Sequence, residues 1–151
     1  MPIEIPKDNW PGTVRTVTIG ATAADGGTRT STITVGGEKN LPFLHFETKV
    51  PNCPAVAIEI KDRRPDDWSA LLLAAWGENV NDPVKWAKAA ETVGADLIQL
   101  SLSLTDKEGK PNSPESAVKA VKDVLAATGL PLMVFGPGQA EVDNNLLVAV
   151  A

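Results

Sequence analysis

The side chains with chemical potential gather in three short segments: Lys61-Asp62-Arg63-Arg64, Ser101-Leu102-Ser103-Leu104-Thr105 and Gly136-Pro137-Gly138-Gln139. Asp62 and Arg63 offer a carboxylate and a guanidinium that can bind a polar ligand group, or can pair with each other and with solvent. Ser101, Ser103 and Thr105 alternate with Leu100, Leu102 and Leu104, which turns hydroxyls to one side of a strand whether or not anything binds there. Gly136 and Gly138 let a ligand approach the backbone closely, and Gly-Pro-Gly is equally a turn. It is not a dinucleotide fingerprint, because the third glycine is missing.

The rest of the chemical inventory is thin. His45, between Leu44 and Phe46, reads as a hydrogen-bonded structural histidine ahead of a catalytic base. The one Cys, Cys53, reads as inert, and one His with one Cys cannot supply a tetrahedral zinc or an iron–sulfur site. The sequence contains no G-x-S-x-G elbow, P-loop, H-E-x-x-H or C-x-x-C, so nucleophilic, nucleotide-dependent and metal-assisted chemistries lack their minimum parts. Trp68, Trp76 and Trp86 read as packing or a subunit contact rather than a cofactor box.

The elements that must position the three segments follow from pattern. Residues 1–12, with Pro2, Pro6, Pro11 and Gly12, read as a tail. Residues 13–54 read as a β-hairpin and connecting loop: β-branched alternation at 14–19 and 30–35 flanks Asp25-Gly26-Gly27, and Pro51 and Pro54 interrupt regular structure afterwards. From residue 55 the grammar becomes βαβ. Apolar runs at 55–60, 97–104 and 130–135 predict parallel strands. Asp82-Pro83 and Ser113-Pro114 predict helix starts, Gly94 and Gly129 helix ends, and a last helix begins near Glu141.

Ligands of parallel α/β folds lie beyond the carboxyl ends of the strands, and all three polar segments fall there. The predicted class is α/β: a partial (β/α)8 barrel of about three βα units, preceded by the hairpin. Eight strands close such a barrel, so residues 55–151 read as its truncated first part, with the apolar run 146–151 expected to be covered by a missing remainder.

Composition narrows the partners. With 151 residues, 43% hydrophobic content and a net charge of −5, the chain is not disordered. Its acidic balance, without clustered Lys or Arg, argues against nucleic acid and anionic membrane surfaces. The lone Cys and the lack of a leader or an 18-residue apolar stretch point to a reducing, cytoplasmic setting.

The stretch TVTIGATAADGGTRTSTITVGGEKNLPFLHFE at 16–47 closely resembles the Gly- and Thr-rich hairpin of the small subunit of the corrinoid iron–sulfur protein, the delta subunit of archaeal acetyl-CoA decarbonylase/synthase. The likeness continues through AVAIEIKDRRPDDW at 55–68, GADLIQLSL at 94–102 and GLPLMVFGPG at 129–138. It covers nearly all of this chain and about the first half of the family's. The resemblance implies a TIM-barrel subunit paired with a large corrinoid iron–sulfur subunit that holds the cluster and most contacts to a shared cobalamin. It implies methyl transfer from methyltetrahydrofolate, through a separate methyltransferase, to acetyl-CoA synthase in the reductive acetyl-CoA (Wood–Ljungdahl) route of carbon fixation. These last two proteins would be transient partners, and the chain would not be catalytic alone. Carried onto this sequence, corrin or large-subunit contacts fall at Asp62, Arg63, Ser103, Gly136 and Gly138. Thr28, Arg29 and Thr30 of the hairpin are a second set, unless the hairpin plugs the far end of the barrel. A pterin-binding, methyltetrahydrofolate-dependent methyltransferase and a purely structural interaction subunit are the competing readings.

Overall fold

The computed structural model describes residues 3–7, 10–41, 46–106 and 108–151. His45, read above as structural, lies outside them.

Strands β1 (Val17–Ile19) and β2 (Ile33–Val35) pair antiparallel, Val17 opposite Val35 and Ile19 opposite Ile33. Between these pairs, the hydroxyls of Thr18 and Thr34 share a hydrogen bond of 3.0 Å. The hairpin is present, but its strands are shorter than the alternation predicts. Residues 22–27 make a turn of their own, with one 3-10 turn at Ala23–Asp25. The Asp25 carboxylate accepts from Thr22 Oγ1 at 2.7 Å and from Thr22 N at 3.2 Å. Those bonds, the hydroxyl's first, hold Asp25 below the usual carboxylate range. The stabilisation is therefore present at neutral pH and is lost as pH falls through the lowered pKa. The protection of amides at residues 22–27, relative to exchange in an unfolded chain at the same pH, should fall as pH drops through that lowered pKa. Asp25→Asn should remove that acid dependence; a variant that keeps it would place the titrating group elsewhere.

The main sheet contains β3 (Ala57–Lys61), β4 (Leu97–Ser101) and β5 (Leu132–Phe135), parallel and in sequence order. Register aligns Glu59 with Gln99 and Met133, and Lys61 with Ser101 and Phe135. Between β3 and β4 run α1 (Ala70–Trp76), a 3-10 turn and α2 (Pro83–Thr92). Helix α3 (Pro114–Ala127) joins β4 to β5, and α4 (Ala140–Val150) follows.

Local chemistry sets the helix starts. The Asp82 carboxylate accepts from Val84 N at 2.8 Å with Pro83 at the first helical position, as the sequence predicts. Ser113 Oγ accepts from Ser116 N at 3.2 Å, again ahead of a proline. The end of α3 departs from expectation. Gly129 is not a left-handed cap; Thr128, in extended conformation, ends the helix. The Arg29 guanidinium, reaching over from the hairpin, donates to the carbonyl of Leu125, which a glycine cap would have satisfied, and to that of Thr128 beyond the helix end. Glycine is required at 129 because a Cβ there would sit 2.5 Å from the Thr30 side chain.

Because the strands stand in sequence order, crossovers of one hand put every helix on the same face of the sheet. Ile60, Ile98 and Leu100 are fully buried on that face against Ala87, Ala90, Val124 and Leu146. Each such aliphatic side chain contributes about 1.5–3 kcal/mol relative to exposure. Trp86 is also fully buried, edge-on to Trp68 at 5.2 Å and tilted against Trp76 at 6.0 Å, so the three tryptophans pack on one another. In the apolar run of α4, Leu146 is buried and Val148 is 77% exposed. Among the described residues, no helix is long and apolar enough to cross a membrane.

Candidate functional site

Strand alternation leaves Glu59, Lys61, Gln99 and Ser101 on the face opposite the helices. Among the described residues no element packs over them, although parallel sheets are ordinarily covered on both faces. This polar face opens at the carboxyl ends of the strands into a cavity of about 550 Å³. Its floor is Glu59, Lys61, Gln99 and Ser101; its walls are Arg63 and Pro65–Asp67 from the β3 loop, Leu102–Leu104 from the β4 loop, and Phe135–Pro137.

Lys61 Nζ lies 3.5 Å from Asp67 and 5.7 Å from the centre of the Trp68 ring, which draws the ammonium toward the β3-loop wall. Arg63 pairs with Asp66 at 3.5 Å. Both carboxylates are largely exposed, so these pairs orient the cations more than they stabilise the fold.

Of the residues expected to form the site, Arg63, Ser103 and Gly136 come together on the cavity wall. Asp62 does not line the cavity; it braces it. Its carboxylate accepts from Ser103 N at 3.1 Å on each oxygen, and from Asn112 Nδ2 at 2.9 Å. Asn112 also donates from Nδ2 to the Ser103 carbonyl at 3.0 Å and from its backbone N to the Leu104 carbonyl at 3.0 Å. The loops after β3 and β4 are thereby tied into one unit. Gly138 lies past the wall, at the start of α4, where its N–H donates to Asp143 Oδ1 at 3.1 Å. Asp143 also occupies the space that a side chain at Gly136 would need.

Thr28, Arg29 and Thr30 are elsewhere. Arg29 donates to the carbonyls of Leu125, Thr128 and Leu130, and Thr30 N to Gly129 O at 2.9 Å, all before β5 begins. The cavity opens toward the other end of β5, where Phe135–Pro137 form its wall. The hairpin thus docks at the amino end of the sheet.

Glu59, Gln99, Phe135 and Asn112 were not anticipated. A usable signal existed for Glu59: a charge in the middle of a run read as a buried strand marks a face that no helix covers. Asn112 carries no such signal, since its role depends on Asp62, fifty positions away.

Fold and site together define an α/β protein with a largely polar cavity at the carboxyl ends of its parallel strands. The chain belongs to the CO dehydrogenase/acetyl-CoA synthase delta subunit family, whose profile matches residues 16–150. It is 40% identical over 146 residues to an acetyl-CoA decarbonylase/synthase complex subunit delta of Archaeoglobus fulgidus, covering 96% of this chain and 32% of that protein. A subunit delta 1 of Methanosarcina thermophila is 36% identical over 143 residues, covering 94% of this chain and 32% of the relative. For the subunit delta of Methanocaldococcus jannaschii the identity is 32% over 149 residues, with 98% and 36% covered. The chain therefore spans about a third of the length of the curated relatives it matches.

Proposed function

We propose that this chain is the cofactor-facing part of the small subunit of a corrinoid iron–sulfur protein. In this reading its three βα units form an arc of a (β/α)8 barrel. The cavity at their carboxyl ends takes the edge of a cobalamin shared with a large subunit. The observation that carries the reading is the uncovered polar face of the parallel sheet, opening at the strand ends in a chain of the delta-subunit family.

The donor set suits the periphery of a corrin. Gln99, Ser101 and Ser103 offer hydrogen bonds to its amide side chains, while Leu104 and Phe135, 42% and 51% exposed, form an apolar ledge for a flat macrocycle. These residues would hold the ring by its edge. Bound cobalamin supplies the methyl-carrying chemistry; this chain's residues orient the ring and keep water from one side of it. The names of the relatives, subunits of an acetyl-CoA decarbonylase/synthase complex, support a place in acetyl-CoA synthesis or cleavage. Methyltetrahydrofolate methyltransferase and acetyl-CoA synthase would then be transient partners.

Anaerobic co-purification with the large subunit, followed by a visible spectrum, tests the proposal. A corrinoid band that appears only with the partner is expected. A complex without corrinoid absorbance overturns the reading, as does direct binding of methyltetrahydrofolate by the free chain, which is the mark of a pterin-dependent methyltransferase.

A further inference from the structure

We infer that Glu59 is a specificity-determining residue of the cavity, selecting a ligand group that presents N–H donors, a primary amide or an ammonium, over one that presents a carboxylate. Among the described residues, five charged side chains line the cavity, and four are matched: Lys61 with Asp67, and Arg63 with Asp66. Glu59 has no hydrogen-bond or ion-pair partner among them. It stands between Ile58 and Ile60, which pack on the helix side, so alternation turns it to the cavity floor.

Its register neighbour Gln99 adds an acceptor beside it. Gln99 Nε2 donates one of its two N–H groups to Ser101 Oγ at 3.4 Å, so the amide oxygen and the second N–H stay open. Of these two neighbours only Glu59 is charged and acceptor-only, so the preference rests on it. While water covers this floor the carboxylate is hydrated. Once a ligand displaces that water, Glu59 needs a donor, because an unpaired buried charge is costly and a second carboxylate is repelled. Nothing in the packing requires a charge at this position, since the neighbours of Glu59 that build the core face the other way.

The inference rests on the reading of the cavity as the corrinoid-facing surface, and its test separates the two. The chain in its complex with the partner subunits is titrated with two probes, followed by visible absorbance. One is cobinamide, whose ring edge carries primary amides; the other is cobyrinic acid, which carries carboxylates there. The wild-type complex should prefer cobinamide. Glu59→Gln should narrow that preference about ten-fold or more, the scale of a hydrogen bond to a charged group. Glu59→Asp, which keeps the charge, should retain the preference. A ratio unchanged in Glu59→Gln, or lost equally in both variants, overturns the role of Glu59 while leaving the cavity assignment intact. A wild-type complex that binds neither probe overturns the cavity assignment and this inference with it.

Discussion

Asp62→Ala should lower stability by about 3 kcal/mol and weaken ligand binding at a cavity that Asp62 does not line. The carboxylate accepts the single Ser103 N–H, shared between both oxygens, and one N–H of Asn112 Nδ2. Asn112 is only 7% exposed, and its Oδ1 has no partner among the described residues. Deleting Asp62 removes an acceptor from a buried amide and releases the Ser103 N–H as well. The unmet N–H of the buried amide costs about 1–3 kcal/mol, and the half-buried Ser103 N–H adds the loss of a bond to a charged acceptor. Asp62→Asn keeps the shape and one acceptor oxygen, so it should lose about half as much. Chemical denaturation measures both variants. The binding effect follows from geometry: Ser103 and Leu104 line the cavity, and their carbonyls are held by Asn112. If Asp62→Ala loses stability but binds ligand as before, the bracing role is wrong.

Arg29→Met should free the hairpin from the domain. The guanidinium donates to Thr128 O at 2.7 Å, Leu125 O at 2.8 Å and Leu130 O at 3.3 Å; methionine keeps most of the apolar stem and none of these bonds. A loss of about 2–4 kcal/mol in docking is expected from two strong charge-assisted bonds and one long one. Hydrogen exchange locates the effect. Amides of residues 17–35 and the last turn of α3 should lose protection, whereas β3, β4 and β5 should keep theirs. Equal loss across the sheet would mean that the hairpin supports the whole domain and is not simply docked on it.

Features decided within a few residues were legible in the sequence. Asp82-Pro83 and Ser113-Pro114 mark helix starts because capping is settled within one turn. The order of strand and helix implies a parallel sheet because βαβ crossovers have one favoured hand. Features decided by distant partners were not legible. The hairpin strands end early because Arg29 and Thr30 leave the ribbon to meet the end of α3 and the turn after it. Gly129 resembles a helix stop, yet its conformation and cap are supplied by Thr30 and Arg29 from the other end of the chain. In the site, Arg63, Ser103 and Gly136 were readable as strand-end residues. The part of Asp62 was not, since the same Lys-Asp-Arg-Arg segment could equally face a ligand, and only the position of Asn112 decides where the carboxylate points.

The Arg29 clamp also constrains how the chain acquires its shape. Arg29 and Thr128 are 99 positions apart, so the contact closes a long loop and gains its enthalpy only after α3 exists. A two-stranded ribbon is marginal by itself in water. At synthesis rates of about 5–20 residues per second, the ribbon would emerge from the ribosome roughly 5–20 s before its anchor. Closure of the clamp then belongs to the late side of the folding barrier, and loss of Arg29 should speed unfolding while leaving the refolding rate almost untouched.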